Sequence, residues 1–116
     1  TLILASAATI TFSAHSLPVY EIYKVGEELH WVDGLDVYKE IWESTTIIPH
    51  FNNREGGVGL DTSYCYVGKD RAQKLISMLP TDAKVVGIDE HTALIVDLDT
   101  GKTLVRGKGT VHEVQS

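Results

Sequence analysis

The sequence predicts an α/β domain: a mixed sheet crossed by one well-formed helix, with a C-terminal β-meander. Three observations carry that prediction. Residues 45–49 and 84–88 are short apolar runs of strand length, bounded by polar or turn-forming residues. Between them, Ala72, Leu75, Ile76 and Leu79 fall at helical spacing within residues 68–79, and Pro80 ends the pattern. Further strand-like runs follow at 92–97, 102–106 and 110–114, divided by the turns Asp97-Leu-Asp-Thr-Gly101 and Arg106-Gly-Lys-Gly109.

The remaining elements follow in chain order. Residues 1–5 read as a buried strand that runs into Ser6, and residues 6–14 as a short helix or turn-helix. Residues 19–32 alternate apolar and polar around Gly26, which predicts a hairpin. Asp33-Gly34 marks a turn. Residues 35–43 form a short helix or irregular lead into the strand 45–49, and the loop 50–63 is rich in Asn, Gly and Asp. With no repeat, low-complexity tract or internal linker, residues 1–116 read as a single domain.

Bulk composition narrows the function classes. Hydrophobic content of 43% and a mean hydropathy of -0.02 are those of an ordinary globular chain. The net charge of -6 argues against non-specific nucleic-acid binding, which needs a basic face. The single cysteine, Cys65, excludes an internal disulfide framework and suits a reducing, cytoplasmic compartment. Residues 1–14 look like a signal-peptide core, but no positive residue precedes them and the run is too short to span a bilayer, so no membrane role is expected. A chain that opens at full hydrophobic strength reads as a fragment or processed product, the C-terminal half of a larger α/β hydrolase-like domain.

Three stretches bring together groups that do chemistry. Ser6 lies between Ala5 and Ala7, and a nucleophile on a sharp strand-to-helix turn needs small neighbours. His50 closes the apolar run Ile47-Ile-Pro-His50, at a strand end where α/β folds place their functional groups. A general base there needs a neutral imidazole held by a second group. Asp89 and Glu90 interrupt two apolar strands, a costly place for acids without a use; a carboxylate here could orient an imidazole, and the plainer reading is a turn in which Asp89 bonds backbone amides. Glu21 and Asp33 are further acids for the same role, and the spacing leaves the choice open.

Metal and thiol chemistry find little support. None of the histidines (His15, His30, His50, His91, His112) pair at ligand spacing, and Cys65 lacks a sulfur neighbour and a flanking basic group. No metal and no cofactor are expected. Trp31, Trp42, Tyr20, Tyr23 and Tyr38 read as core or interface packing.

The stretches Ala5-Ser6-Ala7, Pro49-His50-Phe51-Asn52 and Gly87-Ile-Asp-Glu-His-Thr-Ala93, in this order, resemble the C-terminal half of the cyanophycinase and aspartyl dipeptidase (dipeptidase E) group of serine peptidases. The resemblance spans nearly the whole chain and implies a partial class I glutamine amidotransferase-like (flavodoxin-like) fold. It implies Ser6 as nucleophile, His50 as base and Glu90 or Glu21 as the acid, in a domain that cleaves an amide bond of a peptide, an acidic peptide being one candidate. Asn52, Asn53 and Arg54 become candidates for binding a substrate carboxylate, arginine suiting bidentate contact. Leu4 and Ala8 stand where the family has the glycines of Gly-x-Ser-Ala-Gly; Leu4 is expected to crowd the turn and Ala8 to obstruct close backbone approach. The family's preceding half supplies neighbouring strands and an oxyanion loop, so a homo-oligomer or a partner chain is expected to supply it here. The alternative is an inactive binding or assembly module of the same fold. Amidotransferase chemistry itself needs a cysteine where Ser6 stands.

Overall fold

The computed structural model describes residues 2–114. Its centre is a three-stranded mixed sheet in the order β3 (Thr46–Ile48), β4 (Val85–Ile88), β7 (Val111–Val114). β3 and β4 run parallel, with Ile47 opposite Val86, and are joined through α3 (Lys69–Ser77). β7 returns antiparallel to β4, with Gly87 opposite His112.

Alternation along these strands separates two cores. Ile48 and Val85 face Ala72, Leu75, Ile76 and Leu79 of the helical segment, joined by Leu17, Ile22, Cys65 and Val67. Ile47 and Val86 face the other way onto Tyr38, with Leu4, Phe12, Leu94 and Val111 packed around them. The sheet is therefore covered on both sides, as an α/β arrangement requires. Gly87 is fixed by this packing: the Phe51 ring lies where its Cβ would be.

The N-terminal elements are laced to the sheet by polar groups. α1 (Ala7–Thr11) leads to Ser13, which is fully buried; its Oγ accepts the Ile47 amide proton at 2.9 Å and donates to Thr9 O at 2.8 Å. Ala14 N–H donates to Thr45 O. β1 (His15–Ser16) pairs antiparallel with β2 (Val32–Asp33), and α2 (Val37–Ile41) carries the buried Tyr38. Gly34 allows the close crossing here, since any Cβ would run into Ser13 O. Asp61 caps α3 from a distance, accepting the Lys69 amide proton on Oδ2 at 2.8 Å.

Three expectations need correction. Residues 2–5 form no strand; residue 1 lies outside the described residues. Residues 19–32 are not a hairpin: Glu21–Val25 form a π-helical turn that buries Ile22, and Gly26 ends it in the left-handed conformation at φ 80°. The C-terminal part is rich in β-structure, but its order is not that of a meander. β5 (Thr92–Val96) and β6 (Thr103–Gly107) form a two-stranded ribbon of their own, while β7 crosses back to β4. Asp89 drives that return, accepting the Thr110 amide proton at 3.0 Å and pairing with His112 Nε2 at 3.0 Å. No helix among the described residues is long and apolar enough to cross a membrane.

A candidate Ser-His-Glu site at the sheet end

β3 and β4 lie parallel and adjacent, so the residues just past their ends emerge side by side. That rule places His50 next to Glu90 across forty residues of sequence. His50 Nδ1 and Glu90 Oε2 are 2.8 Å apart. On the other side of the ring, Nε2 lies 3.1 Å from Ser6 Oγ. An ionised carboxylate only accepts, so Nδ1 carries the proton and Nε2 is free to accept from the serine hydroxyl.

Ser6 and His50 sit on backbone of positive φ, and Glu90 directly precedes such a residue. Ser6 has φ 50° and ψ -117° at the entry to α1, a conformation that lifts its hydroxyl out of the chain path. Leu4 does not crowd this turn: it packs onto the Tyr38, Ile47 and Val86 cluster. Ala8 N–H donates to Ala5 O at 3.1 Å, closing the turn around Ser6. His50 has φ 47°, and His91, directly after Glu90, has φ 55°.

The carboxylate is held by several groups. Asn53 Nδ2 donates to Glu90 Oε2 at 3.0 Å, and Asn52 Oδ1 accepts the Glu90 amide proton at 2.7 Å. The Asn53 bond, then the His50 bond, hold the Glu90 carboxyl below its ordinary value of 4.5, against a smaller opposing effect of burial. His50 and Glu90 keep 32% and 25% of their side chains exposed, so a substrate can reach the imidazole while water still reaches the pair.

The imidazole rests on an unusual turn. Tyr64, Cys65 and Tyr66 are consecutive left-handed residues at φ 55°, 57° and 71°. Their amides dock on the strand end: Tyr64 N–H donates to Phe51 O at 2.9 Å and Cys65 N–H to His50 O at 3.1 Å. The turn thereby lays the Tyr66 ring 5.6 Å from the His50 ring, with the Tyr66 hydroxyl reaching Glu55. Cys65 points into the core; burial, with the nearby Glu90 charge, pushes its thiol up to about 12, so it is no nucleophile.

The residues singled out in the sequence separate accordingly. Ser6, His50 and Glu90 meet; Glu21 lies exposed at the start of the π-helical turn, and the Nδ1 it would need is taken by Glu90. Asp89 has the structural use described above, and Asp33 belongs to β2. Asn53, expected at a substrate surface, is largely buried, yet it and Asn52 line the same groove as Arg54. Arg54 is exposed on the rim of an open groove of about 550 Å³ that also includes Val58, Leu60 and Ser63. Tyr66 was missed by sequence reasoning, since nothing in Thr62-Ser-Tyr-Cys-Tyr-Val67 marks a left-handed turn. Among the described residues no group of three or more His, Cys, Asp and Glu could hold a metal ion. The chain matches no known protein-family model, no curated protein and no solved structure.

Proposed function

We propose that this chain carries a serine-hydrolase centre that cleaves an amide bond, with Ser6 as nucleophile, His50 as general base and Glu90 as the acid that orients it. The observation that carries the reading is the continuous chain from Ser6 Oγ through the His50 ring to Glu90 Oε2, at 3.1 and 2.8 Å, starting from a serine on a strained turn. In the reaction Ser6 Oγ attacks the carbonyl carbon as its proton passes to Nε2. Glu90 stabilises the imidazolium, which then returns the proton to the departing amine, and water releases the acyl group by the reverse steps. The Ala7 amide, directly after the nucleophile, is the backbone donor such a turn offers to the developing oxyanion.

The likeness of the three motifs to the cyanophycinase and aspartyl dipeptidase group supports a peptide substrate, and Arg54 on the groove rim suits an acidic group on it. Leu2 and Ile3, apolar and exposed just before the turn, support the expectation that a second copy or a partner chain packs against this end. The test is covalent labelling by a fluorophosphonate, with the modified peptide located by mass. Labelling confined to Ser6, and lost in Ser6→Ala and His50→Ala, supports the hydrolase. A folded chain that takes no label at any pH returns the domain to the reading of a binding or assembly module.

A further inference from the structure

We propose that Asn53 is a positioning residue of this site, a buried brace that holds the Glu90 carboxylate and the His50 backbone in one arrangement and so fixes which imidazole nitrogen faces Ser6. The inference rests on the hydrolase reading above and names a residue that acts through the acid rather than on the substrate.

Every polar group of Asn53 is engaged. Its N–H donates to His50 O at 3.2 Å, and its carbonyl accepts from Thr62 Oγ1 at 3.5 Å. Its Oδ1 accepts the Glu55 amide proton at 3.0 Å. A backbone N–H can only donate, so this bond settles the amide orientation and leaves Nδ2 facing Glu90 Oε2. At 2% exposure Asn53 borders the groove with almost no surface of its own, and its polar groups are spent on Glu90 and on the loop.

The consequence lies in Glu90 Oε2. That one oxygen meets His50 Nδ1 at 2.8 Å and Asn53 Nδ2 at 3.0 Å. Two donors on a single oxygen fix its position and favour its ionised, acceptor-only form. The carboxylate then accepts only from a protonated Nδ1, which leaves Nε2 as the acceptor for Ser6. The main-chain bond from Asn53 to His50 O keeps the base from drifting away from the acid it is paired with. A neighbouring residue acts on the same group from the other side, since Asn52 Oδ1 holds the Glu90 amide.

The experiment compares fluorophosphonate labelling of Ser6 in the full chain, from about pH 5 to about pH 9, across the range where an imidazole titrates. Wild type is set against Asn53→Asp, with Gln73→Ala on the exposed side of α3 as the control. Asn53→Asp keeps the shape and the acceptor for Glu55 N–H but turns an oxygen toward Glu90. The expected loss of labelling rate near neutral pH is roughly tenfold to a hundredfold, as when outer partners of a functional histidine are removed. The pH profile of labelling changes as well, because a carboxyl group set against Glu90 shares its titration with that acid. The effect falls on the maximal inactivation rate and not on probe affinity. A variant with wild-type rate and pH profile, or one altered only in affinity, overturns the proposal.

Should Asn53→Asp fail to fold, the wild-type protein gives a second reading by NMR. The Asn53 side-chain amide protons shift as Glu90 titrates, and that shift vanishes in Glu90→Gln; protons indifferent to Glu90 overturn the proposal. If wild type is never labelled, it is the hydrolase reading that fails, and the same titration still decides whether Asn53 braces Glu90.

Discussion

Replacing Glu90 by Gln tests the acid at constant size. The charge removed lies 2.8 Å from His50 Nδ1. Coulomb attraction at that distance is about 6 kcal/mol at an effective dielectric of 20 and about 1.5 kcal/mol in bulk water. With both side chains a quarter to a third exposed, the lower part of that range applies, and it agrees with roughly 1.5–3 kcal/mol for a hydrogen bond to a charged group. Each 1.36 kcal/mol is a factor of ten, so Ser6 labelling slows by roughly tenfold to 150-fold. Replacing the acid of such a triad can do far more, about 10⁴-fold, when the new amide leaves the imidazole in the wrong tautomer. That outcome is prevented here because Asn53 Nδ2 presents a donor, so the Gln carbonyl oxygen, not its NH₂, takes the Oε2 position. The assay is the labelling rate of Ser6, with wild type and Glu90→Gln compared at matched folded fractions. A loss below about threefold removes Glu90 from the site, whereas a 10⁴-fold loss refutes the argument about the amide's orientation.

Other outcomes follow from the packing. Gly87→Ala forces a methyl into the Phe51 ring and destabilises by about 1–3 kcal/mol, a Tm fall of several degrees read by thermal melting. Asp61→Ala strips the cap from α3 and costs about 1 kcal/mol or less at this exposed position, read as a lower denaturant midpoint at unchanged slope. Glu90 and Asp61 both have carboxyls held below their ordinary values, so their contribution is complete above the unfolded values and disappears as pH falls through the folded ones. Denaturation at pH 6 and at about pH 3 should therefore show a lower stability at the acid end, and the difference should shrink in Asp61→Asn. Cys65 should resist iodoacetamide in the native protein at pH 8 and react on unfolding, because its thiol is buried and pushed up to about 12.

What the sequence disclosed depended on whether a residue's role was local. Ala72, Leu75, Ile76 and Leu79 repeat at the helical period, and all four are buried against the sheet. The apolar runs around Ile47 and Val86 have strand length and flank a helix, which announces a parallel pair and points to the chemistry at its ends. Pairing between distant strands was not legible: the spacing of residues 92–114 fits a meander equally well, whereas the antiparallel ladder, reinforced by the bonds from Asp89 to Thr110 and His112, takes β7 to β4. The segment around Gly26 misled because alternation marks a strand only where a neighbour exists to pair with. Here a single buried anchor, Ile22, holds a π-helical turn instead. Choosing Glu90 over Glu21 was likewise a matter of tertiary position, and so was the burial of Asn53 within a loop whose composition reads as solvated.

The left-handed run Tyr64–Tyr66 sets stability against the geometry around His50. Three side-chain-bearing residues in that conformation cost about 1–2 kcal/mol each, so the turn holds roughly 3–6 kcal/mol of strain. Glycine would relieve it, and a search for heat-resistant variants would be drawn to Tyr66→Gly, whose ring is only partly buried. The same exchange removes the aromatic surface beside His50 and loosens the segment whose amides grip His50 O and Phe51 O. Under the proposed hydrolase function, thermostable descendants of this chain that gain glycine here should label more slowly at Ser6, so heat resistance and reactivity would pull this turn in opposite directions.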